Sequence, residues 1–160
     1  MKKLLLVVAV AISSVSFAQS GTKEDMDVIQ SLYGKQKQEL VSAYMKLEGK
    51  QAAAFEKVYN AYETERKTLG RKRMELINDY ANNFETLTDA KADQLVKATL
   101  KNNIAYENLY AKYFEQSKKA IGTLNAAKFI QLENALQTAV KAETQDAIPF
   151  IGEIDKTKKN

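Results

Sequence analysis

The sequence predicts an all-α protein: four antiparallel helices with a long central hairpin, in a bent or cradle-like arrangement. Two observations carry this. After Gly21, apolar residues recur every three or four positions, and no stretch alternates with period two. A single Pro and six Gly among 160 residues leave little to interrupt long helices.

The N-terminus is read apart from the fold. Lys2 and Lys3 precede a nine-residue apolar run, Leu4 to Ile12, and Ser16-Phe17-Ala18 has the small-x-small form of a cleavage site. Residues 1–18 are therefore expected to be a cleaved signal peptide, because the run is about half of the roughly 20 residues a membrane helix needs. Without Cys there is no acylation site for a lipoprotein anchor. The expected location is periplasmic or secreted, with no membrane insertion. Removing the leader leaves 142 residues with 22 cationic and 20 anionic side chains. Residues 155–160 form a basic tail, so the single helical domain expected over 19–154 carries 19 charges of each sign. No nucleic-acid partner is implied by that balance.

The first helix is expected on Met26, Ile29, Tyr33, Leu40, Tyr44 and Leu47, ending at Gly49. The second carries a seam of Phe55, Tyr59, Tyr62, Arg66, Leu69, Arg73, Leu76, Tyr80, Asn83 and Leu87, with steps alternating four and three. Val58, Ile77 and Phe84 widen it into the stripe of a helix with more than one neighbour. Gly70, inside the run, costs about 1 kcal/mol relative to Ala. A third helix follows on Leu95, Tyr106, Leu109, Tyr113 and Ile121, ending at Gly122. The fourth follows on Leu132, Leu136 and Val140, stopping before Pro149. Gly suits a helix end because it takes the left-handed conformation without a Cβ clash. Thr88-Asp89 and Asn125-Ala126 are expected N-caps. The connections are short, which makes neighbouring helices antiparallel. Helices two and three, each over about 25 residues, have too much apolar surface for one chain to cover, so a homodimer is expected.

Composition excludes several chemistries. With no His and no Cys there is no Ser/His triad, no thiol nucleophile and no zinc finger, and only a carboxylate-built hard-cation site stays open. No cofactor and no metal are expected. Glu63 with Glu65, and Asp89 with Asp93, have no accompanying base or nucleophile, so they are read as solvated or capping charges rather than catalytic residues.

Arg66, Lys67, Arg71, Lys72 and Arg73 point almost all round the second helix, as solvated charges do. Arg66 and Arg73 differ in occupying seam positions. There an Arg either snorkels over a helix edge or faces a partly wet concave surface. The second alternative gives the expected client-binding face: Tyr59, Tyr62, Arg66, Leu69 and Arg73. Most of the eight Tyr lie on apolar stripes and are assigned to the core, with at least one of Tyr106, Tyr110 and Tyr113 exposed.

Three segments repeat weakly: Leu47 to Gln51, Leu87 to Lys91 and Leu124 to Lys128. Each is followed by a large apolar residue eight positions after its Leu: Phe55, Leu95 and Leu132. These helix starts resemble the Leu-Thr-x-x-Gln signature of the Spy/CpxP-like (LTXXQ) periplasmic helical proteins. Leu87-Thr88 keeps the Leu-Thr with Lys91 in place of Gln; Leu47 and Gln51 keep the two ends; Leu124-Asn125 keeps the Leu. Phe129 to Asn134, followed by Asp146-Ala147-Ile148-Pro149-Phe150, is similar to the C-terminal helix and Ile-Pro ending of divergent relatives. The resemblance implies a small, often dimeric helical protein that holds unfolded clients without ATP or senses envelope stress. Relatives that bind metal do so through His, which this chain lacks. The expected function is a non-enzymatic periplasmic binding protein of chaperone or envelope-stress type, holding apolar and acidic client segments. The alternative is a structural or adaptor module with one fixed protein partner.

Overall fold

Four helices and no strand make up residues 23–151, which the computed structural model describes with side chains from Gly34 onward, Ala147 excepted. The expected leader and basic tail lie outside the described residues, as do the side chains of Met26, Ile29 and Tyr33. The helices are α1 (Lys23–Met45), α2 (Gly49–Asn83), α3 (Asp89–Ile121) and α4 (Thr123–Ala147), with a single 3-10 turn at Phe84–Thr86 between α2 and α3. At 1.5 Å per residue, the 35 residues of α2 and 33 of α3 make rods of about 52 and 50 Å. The chain passes through Gly70 without a break.

Along the hairpin, residues rising in α2 meet residues falling in α3. Glu65 meets Lys112 and Tyr113, the Leu69 carbonyl meets Asn102, and Asp79 meets Lys91.

The junctions show what local chemistry fixed. Thr88 caps α3, its hydroxyl accepting from the Lys91 amide at 3.3 Å. Asp89 in the first turn and Lys118 and Lys119 in the last complement the helix dipole. Gly122 ends α3 at φ +80°, as expected, its amide donating to the Lys118 carbonyl.

Two boundaries differ from expectation. The first helix ends at Met45 rather than Gly49, because Lys46 itself turns left-handed at φ +50°. Gly49 instead opens α2, at a φ of +54° that a side chain would strain. Asn125 is not a cap: α4 begins at Thr123, so Gly122 alone joins it to α3. Asn125 Nδ2 donates backward to the Ile121 carbonyl at 3.1 Å.

Packing divides the bundle across its length. One half joins the end of α1, the start of α2, the end of α3 and the start of α4. Its core is Val41, Met45, Phe55, Tyr59, Tyr62, Tyr106, Leu109, Tyr110, Tyr113, Ile121 and Phe129. Phe129 is central there, with edge-to-face contacts at 5.1 Å to Phe55 and 5.3 Å to Tyr62. Each such ring contributes about 1.5–3 kcal/mol by burial, and each edge contact about 0.5–1.5 kcal/mol more. Tyr106, Tyr110 and Tyr113 are all buried, against the expectation that one would be exposed. Other helices pack on more than one side of α3 and enclose its whole Tyr arc.

In the other half the seam loosens. From Leu69 through Arg73, Leu76, Ile77, Tyr80 and Asn83, every seam residue of α2 is only half-buried. Leu95 is buried there but stands apart from the main core. We call these the closed and open halves.

Candidate functional site

The expected client face falls mostly inside the closed half. Tyr59, Tyr62 and Arg66 are buried, at 4, 0 and 4% exposure, so they present no open surface. Leu69 and Arg73 are half-buried at the boundary with the open half.

Arg66 neither snorkels nor faces water, because it belongs to an interior ion cluster. Its Nε and Nη2 donate to the two oxygens of Glu63 at 2.8 and 2.9 Å, one turn away on α2. Lys37 Nζ of α1 lies 2.5 Å from Glu63 and 2.7 Å from Glu133 of α4. The Tyr62 hydroxyl donates to the same Glu133 oxygen at 2.6 Å. Lys37 also sits over the rings of Tyr62 and Tyr59, 5.0 and 5.8 Å from their centroids. Two cations and two carboxylates from three helices thus balance one another out of water. Glu63, expected to be a solvated charge, is buried because it is the shared partner of both cations.

The electrostatics follow from this enclosure. Burial drives the Lys37 ammonium below its ordinary value, against the attraction of Glu133 and Glu63. Burial alone would raise Glu63, but the hydrogen bonds and charges of Arg66 and Lys37 outweigh it and hold the carboxyl below the ordinary range. Burial and the Glu133 charge push the Tyr62 hydroxyl far above a free phenol. Burial and the bond to Glu65 push Tyr113 up to about 12. With its members paired to each other and sealed from solvent, the cluster holds the closed half in register.

An accessible site exists at the other end. An open cleft of about 470 Å³ lies between the far halves of α2 and α3 and the end of α4. Leu76, Ile77 and Tyr80 line it from α2, Leu95, Val96 and Leu100 from α3, and the segment Ile148 to Ile151 lines it after α4. That segment is held by Tyr80, whose hydroxyl donates to the Pro149 carbonyl at 2.8 Å. Beside the cleft, Val96, Leu100 and Ile104 are more than half exposed, at 53, 55 and 61%. Their spacing of four makes an apolar ridge on the outside of α3, and Phe150 and Ile151 add 55 and 64% exposed apolar surface at the cleft.

Sequence reading did not single out Lys37, Phe129 or Glu133 for the interior, nor the ridge for the surface. The ridge had a signal: Val96, Leu100 and Ile104 keep helical spacing yet fall off the Leu95-Tyr106-Leu109-Tyr113 stripe. Lys37 and Glu133 had none, since a charge at helical spacing looks the same whether solvated or paired.

The helix starts carrying the family resemblance occupy junctions. Leu47 is half-buried against the core, Gln51 is exposed in the first turn of α2, Leu87 lines the cleft and Thr88 caps α3. Leu124, at 84% exposed, and Asn125 lie in the first turn of α4. Among the described residues no cluster of acidic side chains is arranged to hold a metal, and no helix is long and apolar enough to cross a membrane. Compared with protein-family models, with curated proteins and with solved structures, the chain matches none.

Proposed function

We propose that this is a non-enzymatic exported binding protein that holds apolar segments of unfolded proteins without ATP, in the manner of a periplasmic chaperone. The observation that carries the reading is the ridge of Val96, Leu100 and Ile104 beside an apolar cleft. Large contiguous apolar surface on a soluble helix is a cost in water unless something covers it. The two cations of the cleft lining, Arg73 and Lys141, supply attraction for acidic flanks of a client. The Leu87-Thr88 helix start adds the family resemblance as support.

The test is suppression of aggregation for several unrelated denatured proteins, by the wild type and by the variant V96S/L100S/I104S. These side chains are more than half exposed, so the three substitutions together should cost about 1.5 kcal/mol or less, with circular dichroism checking that the variant is folded. The expected outcome is protection of several clients by the wild type and loss of most of it in the variant. No protection at stoichiometric amounts would put the single-partner adaptor ahead. A variant that loses oligomeric mass on light scattering while still protecting clients would assign the ridge to a second copy.

A further inference from the structure

We propose that the cleft of the open half, whose wall shares Val96 and Leu100 with the ridge, binds a free long-chain fatty acid, with the carboxylate on Arg73 and the acyl chain along Leu76, Ile77, Tyr80 and Leu95. The cleft, at about 470 Å³, is of small-ligand size, within roughly 300–1,000 Å³. Among its described lining residues only Arg73 and Lys141 are charged, both are cationic, and no acid is present. That complementarity selects an anion.

Arg73 is prepared for one. Its guanidinium stacks on the Tyr106 ring at 4.2 Å, and Nη1 donates to Gln137 Oε1 at 3.1 Å. Nη2 is buried with no hydrogen-bond partner among the described residues. A buried donor left unused is costly, and a turn of the Arg73 guanidinium toward the cleft would let a ligand carboxylate satisfy it.

Half of the uncharged polar lining is already engaged, which leaves Thr99, Asn103 and Gln145 to meet a peptide in this cavity. Asn102 Nδ2 is spent on the Leu69 carbonyl, Thr144 Oγ1 on the Val140 carbonyl and the Tyr80 hydroxyl on the Pro149 carbonyl. An extended peptide would bring amides that find few partners. A helix about 10 Å across would fill the volume within about one turn. An acyl chain has no amides and is narrow. From Arg73 to Tyr80, α2 offers about 10 Å of wall along which it can lie, and Leu87 carries the lining beyond the helix.

The experiment is calorimetric titration of the delipidated full-length protein with hexadecanoate and with hexadecanol, both kept monomeric, and with phosphatidylglycerol vesicles. Hexadecanoate should bind at one site, at least about tenfold more tightly than hexadecanol, the size of one charge-assisted hydrogen bond. Vesicles should not bind. Arg73→Gln should erase the preference for the acid, and Ala92→Trp, which fills the cleft, should abolish binding of both chains. Circular dichroism checks that each variant is folded. The acid-over-alcohol comparison uses only the wild type and stands if either variant fails to fold. Equal affinity for acid and alcohol, no binding of either, binding undiminished in a folded Ala92→Trp, or equal uptake by vesicles would each overturn the proposal. Val96 and Leu100 line both surfaces, so aggregation suppression is measured on the delipidated wild type in a separate assay, and either result can fail while the other stands.

Discussion

The two halves of the hairpin share the same helices and the same seam periodicity, yet one is dense and the other is not. In the closed half the seam residues are Phe55, Tyr59, Tyr62 and Arg66, all buried; in the open half they are Leu69, Arg73, Leu76 and Tyr80, all half-buried. What separates them is what stands opposite. Phe129 and Glu133 of α4 and Lys37 of α1 fill the space facing Tyr59 and Tyr62. Opposite Leu76 and Ile77 a cleft remains. Periodicity therefore brings a helix face to the interior, but the size and charge of the facing residues decide whether that interior closes.

The largest effect is expected from breaking the balance of the closed half. Lys37→Met leaves Glu133 buried beside Tyr62 without its cation, and removing one partner of a buried pair costs about 3–5 kcal/mol. Urea denaturation should show that loss. The double variant Lys37→Met/Glu133→Met keeps the Glu63–Arg66 pair and should recover part of it, since no charge is orphaned and only the Tyr62 hydroxyl loses its acceptor. A double variant no more stable than Lys37→Met would mean that the cluster is not organised around charge balance.

A matched pair of truncations measures the packing contrast directly. Leu109→Ala, at a site 4% exposed in the closed core, should cost about 3 kcal/mol. Leu76→Ala, on the cleft wall, should cost about 1 kcal/mol, because that side chain is half-buried beside existing space. Equal losses in thermal or urea melts would show that the open half is packed as tightly as the closed one.

The smallest effect is that of acid on the same ion cluster. Glu63 is held below its ordinary value, so its stabilising contribution is complete above about pH 4.5 and is lost as pH falls through its lower folded value. The effect is small because burial and pairing oppose each other on this one group, and only the difference registers. Urea midpoints measured from pH 6 to pH 3 should fall, and Glu63→Gln should flatten part of that fall. A midpoint independent of pH over this range would remove Glu63 as a stabilising carboxylate.

Much of this molecule was legible residue by residue. The four helices, the positive-φ glycine end at Gly122, the Thr88 cap and the buried α3 stripe from Leu95 to Ile121 each depend on a few neighbouring positions. Spacing and backbone freedom are local properties, and a sequence states local properties outright. The candidate sites were not of that kind. Burial of Arg66 depended on Glu63 one turn before it, but equally on Lys37 26 residues before Glu63 and on Glu133 far beyond it. The cleft depended on how the side chains of three helices fill a shared volume. A charge is expelled or enclosed, and a space is filled or left open, according to partners brought together only by folding, because desolvation and packing act across all the helices at once.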